Sequence, residues 1–463
     1  MSFADTALSN TKFMPYWLDS TDAPASEPIL TSDINVDLLI VGCGFTGLWA
    51  AIQAKEADPK RSVAIIEGGM IAHGASGRPG AIVSTSVMHG LSNAIRVFPD
   101  DLDELERLGH ENMDGFMDTL KRYNINCDFE FGGELTVGVG SGCASILQEE
   151  YALNKDHGHD VSLLDGAETR AQINSPLFEG AVWSKKRSGT LHPAKLAWGL
   201  KAATKTLDIP IYENTPLVKI TKTATGVIAT TPKAKIATGK VLLATNAFAA
   251  GHSRIKKRVV LVRDRLLASE PLSAEQLERV GWQNRQGIYD TRTQMNYMRL
   301  TKDNRIIFGG RLGYFYGGNP DPAEDKTVKP YLRLAEAFAR TFPQLDDVSF
   351  SHAWSGPIAL TNRMAVHFQH YFGGDVIYAG GYSGFGVSAS RFGARVGLAI
   401  LDREKIPETQ MAFAVTEPGY IPPEPFRWLG AKVTLYAMDT MDEKRGWRRP
   451  WIKFVEKLGF PLT

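Results

Sequence analysis

The sequence has few of the side chains from which metal centres and disulfide frameworks are built. Only three cysteines occur in 463 residues, at Cys43, Cys127 and Cys143, and no CxxC pair or His/Cys cluster has the spacing of metal ligands. This scarcity argues against zinc, iron–sulfur and dithiol redox chemistry, and it favours a reducing compartment.

An excess of charge and a long apolar run are missing as well. The 52 Lys and Arg residues balance 51 Asp and Glu residues, so the chain has no net field that would attract nucleic acid. No run of about 18 uncharged apolar residues occurs, and the opening MSFADTALSN lacks the basic start of a signal peptide. We therefore expect a cytoplasmic protein without a membrane span and without a nucleic-acid partner.

The most informative stretch that is present, residues 36–67, reads as strand, glycine turn, helix, strand and terminal carboxylate. Gly42, Gly44 and Gly47 suit a tight turn, close backbone approach to a pyrophosphate and close helix packing. Glu67 lies 20 residues past Gly47, where a carboxylate would accept hydrogen bonds from ribose hydroxyls. The residues predicted to hold a dinucleotide here are Gly42, Gly44, Phe45, Thr46, Gly47, Glu67 and Gly68. The alternative is a glycine-rich turn of an ordinary α/β protein.

Five segments of the chain carry recognisable motifs: VGCGFTGLWAA with its acid at Glu67, HGASGRPGAIV at 73–83, KVLLATNAFA at 240–249, NYMRLTKDNRIIFGGR at 296–311 and AGGYSGFGVSAS at 379–390. Together they resemble the FAD-dependent oxidoreductases of the D-amino-acid oxidase (DAO) type, which include glycine, sarcosine and γ-glutamylputrescine oxidases. The resemblance spans roughly residues 34 to 405 and is nearest to the γ-glutamylputrescine oxidase and glycine–sarcosine oxidase-like branch. It implies a flavoprotein with FAD as its cofactor.

The order of predicted elements indicates a mixed fold, α/β plus α+β. A Rossmann-like FAD-binding domain is built from three chain segments, and an antiparallel-sheet substrate domain is interleaved with it. The expected divisions are an N-terminal arm (1–33), FAD-binding segments (34–100, 186–258 and 351–405), substrate-domain segments (101–185 and 259–350) and a C-terminal tail (406–463).

The GASGRPGA loop resembles the family's GASGRNGG loop, which passes the pyrophosphate and ribityl chain. The resemblance implies cofactor contacts from Ala75, Ser76, Arg78, Gly80, Ala81 and Ile82. Pro79 and Ala81 depart from the family pattern and stiffen the loop, which puts contacts near the flavin ring in doubt. Further contacts are implied for Val218, whose backbone matches the adenine-binding position, and for Ala244, Thr245 and Asn246. Core packing alone is the alternative for these four residues.

The glycine-rich segment at 379–390, called here the late glycine segment, would bring backbone N–H groups and a helix N-terminus against the flavin's pyrimidine edge. Its predicted contacts are Gly381, Gly384, Phe385, Gly386 and Val387. The alternative is a turn that only packs strand on helix. Attachment through a C-terminal cysteine is excluded because no cysteine follows Cys143. His73 is the remaining candidate for covalent attachment, and we expect FAD to be bound without a covalent link.

Residues 295–300 and 305–310 alternate as two strands of a hairpin. The resemblance implies that this hairpin covers the flavin, because similar strands in the family do so. Tyr297 and Arg299 share one face of the first strand, so Arg299 could hold a substrate carboxylate while Tyr297 orients it. A surface ion pair and a core tyrosine are the alternative. Trp354, as a wall of the pocket, and Tyr382 complete the predicted catalytic set, and a buried core indole is the alternative for Trp354. His89, His352 and Tyr382 are the weaker candidates.

The resemblance implies oxidation of an amine or amino acid. The C–N bond is oxidised with hydride passing to flavin N5, the imine is hydrolysed, and oxygen, a quinone or a carrier protein accepts the electrons. Two alternatives stay open, an FAD-dependent dehydrogenase of a hydroxy acid and a non-catalytic flavoprotein subunit of a larger complex. From Pro425 onward the tail carries eight Lys and Arg against four Asp and Glu. It is predicted either to contact a membrane or partner subunit or to pack on its own domains.

Overall fold

The computed structural model describes residues 2–318, 327–444 and 446–460, except for the side chains of 250 and 251. The N-terminal arm, the second substrate-domain segment and the tail therefore each include residues outside this description. The helices are α1 (Phe3–Ala7), α2 (Phe45–Ala57), α3 (Leu91–Val97), α4 (Leu102–Arg122), α5 (Cys143–Asp156), α6 (Gly166–Gln172), α7 (Pro193–Thr206), α8 (Ala274–Val280), α9 (Lys329–Thr341), α10 (Gly386–Asp402), α11 (Ala412–Val415), α12 (Phe426–Thr440) and α13 (Arg448–Lys457). The strands are β1 (Ile34–Val41), β2 (Val63–Ile66), β3 (Ile82–Ser84), β4 (Glu134–Val137), β5 (Val161–Asp165), β6 (Gly180–Ser184), β7 (Ser188–Thr190), β8 (Ile211–Tyr212), β9 (Lys219–Lys222), β10 (Val227–Thr230), β11 (Lys235–Leu243), β12 (Val260–Ser269), β13 (Gly287–Asp290), β14 (Tyr297–Leu300), β15 (Ile306–Gly313), β16 (Phe350–Leu360), β17 (His367–Tyr371) and β18 (Val376–Gly380).

The first sheet has the strand order β17-β18-β11-β1-β2-β8, and β9 and β10 form a hairpin beside β11. The strands from β18 to β8 are parallel, and β17 is antiparallel to β18 at one edge. Its strands come from three separated parts of the chain, which confirms the predicted Rossmann-like domain. The end of β1 is a continuous buried run, Leu38 to Val41, as expected for a parallel strand covered on both faces.

Helix α2 lies against this sheet and is buried around most of its circumference, because α7 and α10 pack on its other sides. The small side chains of Ala50, Ala51 and Ala54 allow those close contacts. This packing fixes the N-terminus of α2 directly after the β1 turn. A dinucleotide-binding turn needs that arrangement.

The second sheet has the order β16-β12-β15-β14-β13-β4-β6-β5. Its pairs are antiparallel except β13 and β4, so the predicted antiparallel sheet includes one parallel pair. Helix α9 covers one face with a buried stripe that includes Leu334 and Phe338. Strand β16 pairs along most of β12. Residues 351–360 therefore lie in this sheet, although they were expected to begin the third FAD-binding segment. The remaining domain boundaries stay a prediction.

The C-terminal helices α12 and α13 pack on each other through Ala437, Met438 and Ile452. Asp439 forms an ion pair with Arg311 of β15, which fastens α12 to the second sheet. The outer face of helices α12 and α13 is partly apolar, since Phe426 and Phe454 are exposed. Contact of this tail with a membrane or partner subunit stays a prediction. Among the described helices, none combines the length and the hydropathy that crossing a membrane requires.

Candidate active site

A cavity of about 880 Å³ lies where the carboxyl ends of β1, β2 and β11 meet the second sheet. Open α/β sheets bind ligands outside the carboxyl ends of their strands, so its position is that of a nucleotide site. The predicted residues that line it are Gly42, Gly44, Phe45, Thr46, Glu67, Gly68, Ala75, Ser76, Arg78, Gly80, Ala81, Ile82, Ala244, Thr245, Asn246, Tyr297, Tyr382, Gly384, Phe385, Gly386 and Val387. Gly47, Val218, Arg299, Trp354 and Gly381 are outside the lining.

Close neighbours surround all three glycines of the first turn, backbone atoms at Gly42 and Gly47 and the Ser76 side chain at Gly44. Gly42 has φ +109°, and a Cβ there would lie 2.8 Å from the carbonyl oxygen of Ala244. A Cβ on Gly44 would meet the Ser76 hydroxyl at 2.8 Å. A Cβ on Gly47 would lie 1.9 Å from the Gly42 carbonyl oxygen, so Gly47 acts through packing. A side chain at these positions would clash with its neighbours, so the turn favours glycine.

Ser76 joins the second loop to the start of α2. Its hydroxyl oxygen accepts a hydrogen bond of 2.9 Å from the Phe45 N–H. This N–H is one of the donors at the N-terminus of α2 that have no partner within the helix. The hydroxyl and the first N–H groups of α2 thus meet at the cavity wall. A phosphate is the group that a helix N-terminus with adjacent hydroxyl and amide donors binds best.

Glu67 follows β2 and is held by two backbone donors. Its Oε2 accepts a hydrogen bond of 2.7 Å from the Cys43 N–H, and its Oε1 accepts one of 2.9 Å from the Gly69 N–H. Burial raises the pKa of the Glu67 carboxyl, and these N–H groups oppose the rise. These two bonds orient the carboxylate at the end of the cavity that Pro216 and Leu217 also line. A carboxylate oriented in this way can accept hydrogen bonds from ribose hydroxyls.

Val218 is outside the cavity lining, next to Pro216 and Leu217, which do line it. Its side chain is 64% exposed, and its N–H donates to the carbonyl oxygen of Thr230 at 2.8 Å, which extends the β9–β10 pairing by one residue. The predicted backbone contact of Val218 with adenine stays a prediction. The sequence carries no signal that separates Leu217 from Val218, since both are apolar and adjacent.

At the opposite end, the start of α10 is directed at the cavity through Gly384, Phe385 and Gly386. Gly381 supports this wall from outside, because its N–H donates to Asn246 Oδ1 at 2.9 Å. Tyr382 lines the wall, and its hydroxyl accepts a hydrogen bond of 2.9 Å from the Thr46 hydroxyl. This bond ties α2 to the β18–α10 turn.

Three buried side chains hold the 78–81 loop from behind. The indole N–H of Trp354 donates to the Arg78 carbonyl oxygen at 3.0 Å, and that of Trp17 donates to the Pro79 carbonyl oxygen at 2.8 Å. Arg299 Nη1 donates to the carbonyl oxygens of Ala81, at 3.3 Å, and Leu191. These bonds correct the predicted roles of Trp354 and Arg299, because both side chains are directed at the back of the loop. Trp17 was not predicted.

The histidines divide between the cavity and the protein interior. His73 and His89 line the cavity, whereas His352 is outside the lining and pairs with Asp19 at 2.9 Å. The His89 ring lies 4.0 Å from the Phe385 ring, between centroids. Burial lowers the pKa of His89 to about 4, so its imidazole is neutral at pH 7. That FAD is bound without a covalent link to His73 stays a prediction.

The Tyr297 ring fills a slot that two glycines leave free. A Cβ on Gly80 would lie 2.4 Å from this ring, and a Cβ on Gly309 would lie 2.1 Å from it. The Tyr297 hydroxyl donates to Asp264 Oδ2 at 2.5 Å. Asp264 lines the cavity and was missed in the sequence, where Arg263-Asp264-Arg265 reads as exposed charge.

Ala81 stands where the family's GASGRNGG loop has its last glycine, and its backbone has φ +62°. We expect Ala81→Gly to raise the free energy of unfolding by about 0.5–1 kcal/mol, because the relief of left-handed strain exceeds the added flexibility of the unfolded chain. Thermal unfolding of the FAD-loaded protein measures it. The matched control, Ala152→Gly in exposed helix α5, is expected to lower stability by about 1 kcal/mol. A lower melting temperature for Ala81→Gly would contradict the strain.

These features fit FAD. The glycine turn leaves room for a pyrophosphate, Glu67 presents oriented acceptors for a ribose, and the α10 N-terminus faces the other end of the same cavity. Among the described residues, no group of three or more His, Cys, Asp or Glu side chains is placed to hold a metal ion.

Comparison with known proteins confirms the resemblance, the fold class and the cofactor. The chain is 29% identical over 388 residues to the γ-glutamylputrescine oxidoreductase of Escherichia coli, covering 82% of this chain and 87% of that one. It is 28% identical over 388 residues to a probable oxidoreductase, OrdL, of Haemophilus influenzae, covering 82% and 86%. The glycine oxidase structure of Geobacillus kaustophilus superposes with a TM-score of 0.67 at 17% identity, covering 81% of this chain and 96% of that one. The DAO family model, described as FAD dependent oxidoreductase, matches residues 37–397, and the chain belongs to that family.

Proposed function

We propose that this enzyme oxidises an amine or amino acid at a C–N bond. The observation that carries the proposal is a single cavity that joins the dinucleotide turn to a chamber under the second sheet, walled by Leu266, Tyr289 and Ile358. Relatives support the choice of substrate class, since one is named as a γ-glutamylputrescine oxidoreductase and a structural neighbour is a glycine oxidase.

FAD, when bound, supplies a hydride acceptor that protein side chains lack. The protein's part is to position the substrate and to remove water from it. An amine gives up hydride only as the neutral base, and apolar walls such as Leu266 and Ile358 favour that form because desolvation disfavours the charged one. The His89 ring is neutral, so it adds no positive charge that would shift the equilibrium between the neutral and protonated forms of the substrate amine.

The imine product is hydrolysed by water to a carbonyl compound and ammonia or a smaller amine. The electron acceptor that completes turnover is oxygen, a quinone or a carrier protein. These acceptors give different products, because only oxygen yields hydrogen peroxide. An oxidase and a dehydrogenase are therefore separable by assay.

The proposal is tested by turnover with a panel of secondary amines, polyamines, D-amino acids and hydroxy acids, following peroxide formation and dye reduction in parallel. We expect at least one amine or amino acid to sustain turnover and the hydroxy acids to be inactive. Turnover with hydroxy acids alone would replace amine oxidation by alcohol oxidation. A flavin that no compound turns over would indicate a structural cofactor.

A further inference from the structure

Asp264 is a buried carboxylate on the cavity wall, and it lies outside the segments predicted to hold FAD. It lies in β12, where the pairing with β15 shifts register between Arg263 and Arg265. Irregular pairing of this kind redirects a side chain. The residue is only 7% exposed, and that remaining access is to the cavity it lines.

The hydrogen bonds of Asp264 come from neutral donors. Tyr297 donates its hydroxyl to Oδ2 at 2.5 Å, and the Arg265 N–H donates to Oδ1 at 2.9 Å. The adjacent Arg265 guanidinium donates through Nη1 to the Arg311 carbonyl oxygen at 2.7 Å. Each carboxylate oxygen has more than one lone pair, so both can accept a further donor from the cavity.

The arginine that the sequence predicted as a carboxylate clamp is not in this chamber. Arg299 donates to loop carbonyl groups behind the wall. Arg78 does line the cavity, but it donates through Nε to the His73 carbonyl oxygen at 3.0 Å and through Nη1 to the Ser355 carbonyl oxygen at 2.8 Å. The chamber side of the cavity therefore presents an oriented acid, which attracts cations and repels a substrate carboxylate.

We propose that Asp264, oriented by Tyr297, binds an ammonium group of the substrate, and that the enzyme prefers diamines or polyamines to free α-amino acids. One ammonium pairs with Asp264 and stays charged, while a second amine of the same molecule, neutral in the apolar part of the chamber, is the one oxidised. This assignment deepens the proposed amine oxidation and rests on it for the reacting group. The binding of the cation itself requires no turnover.

The pH dependence of binding follows from the groups around Asp264. Burial raises the pKa of Asp264 to about 6, while the hydrogen bond from Tyr297 and the charge of Arg265 lower it. Tyr289, whose ring centroid lies 6.3 Å from that of Tyr297, remains a neutral phenol because burial raises its pKa well above the ordinary value. Ionised Asp264 is the binding form, so cation binding is expected above about pH 6 and is lost as the pH falls through that value.

The test uses the FAD-loaded full-length enzyme and butyltrimethylammonium, a monocation without an amine lone pair that cannot be oxidised. Its binding is followed by perturbation of the flavin spectrum, with N-butylacetamide as the neutral comparison. We expect the cation to bind the unmodified enzyme about 10- to 100-fold more tightly than the neutral amide, the lower part of the range for close opposite charges. Asp264→Asn is expected to abolish that difference.

Asp346→Asn is the matched control, because it removes the same charge from a side chain that is 82% exposed. It is expected to leave both affinities unchanged. Tyr297→Phe provides a second variant should Asp264→Asn fold poorly. Loss of the phenol removes a hydrogen bond that lowers the pKa of Asp264, so the pH at which cation binding is lost should move upward.

Equal affinity for the cation and the neutral amide in the unmodified enzyme, or an unchanged preference in Asp264→Asn, would overturn the assignment. An unchanged pH midpoint in Tyr297→Phe would do the same. Failure of the amine panel with Asp264-dependent cation binding intact would remove the proposed reaction and keep the cation site. Amine turnover without a preference for the cation would keep the reaction and remove the site.

Discussion

Replacing Gly42 with alanine will give a protein that no longer retains FAD. The new methyl group would lie 2.8 Å from the Ala244 carbonyl oxygen, and the residue would be forced to keep φ +109°. The neighbouring backbone cannot move freely, because the Ala244 N–H donates to the Val41 carbonyl oxygen at 2.8 Å within the sheet. We expect FAD affinity to fall by at least about 100-fold, equivalent to about 2.7 kcal/mol.

The flavin-to-protein absorbance ratio of the purified variant and a reconstitution titration measure this loss. Gly239→Ala is the control, since a Cβ there would meet its nearest neighbour, the Asp37 carbonyl oxygen, at 3.7 Å without a positive φ. It lies in the same sheet and is expected to keep its flavin. A Gly42→Ala protein with a full complement of FAD and unchanged affinity would show that the turn is not the pyrophosphate site.

Arg299→Met will destabilise the whole protein and will not selectively weaken substrate binding. The guanidinium is buried, donates to the carbonyl oxygens of Ala81 and Leu191, and lies 5.5 Å from the centroid of the Trp17 ring. Methionine fills much of the volume but leaves these acceptors without their donor. We expect a loss of about 2–4 kcal/mol in the free energy of unfolding and a lower melting temperature.

Thermal unfolding and substrate kinetics separate the two roles that the sequence left open for Arg299. Arg299→Lys, which keeps the charge and has N–H donors on a single nitrogen, should recover part of the stability. A variant with an unchanged melting temperature and full FAD content, but a KM raised by about 100-fold, would restore the role of a substrate clamp.

The dinucleotide unit could be predicted because its signals are local. A buried strand, three glycines and an acid at fixed spacing specify β1, the turn, α2 and Glu67 without knowledge of the rest of the chain. The late glycine segment was equally readable, since β18, its turn and α10 are continuous in sequence. The β14–β15 hairpin was found for the same reason.

Side chains whose roles depend on packing between distant segments were not predictable in this way. Tyr297 and Arg299 do face the same way, but the 78–81 loop separates the cavity from Arg299. Strand β16 was missed because Gly356 and Pro357 interrupt the residue types that signal a strand. Asp264 reads as a surface acid until the second sheet closes over it.

Anaerobic mixing of the FAD-loaded enzyme with individual amines tests the central claim most directly. The account predicts that a diamine or polyamine bleaches the visible absorption band of the oxidised flavin, and that admitting a competent acceptor restores it. A flavin that keeps its band with every amine and amino acid offered, while chemical reductants bleach it normally, would contradict the claim.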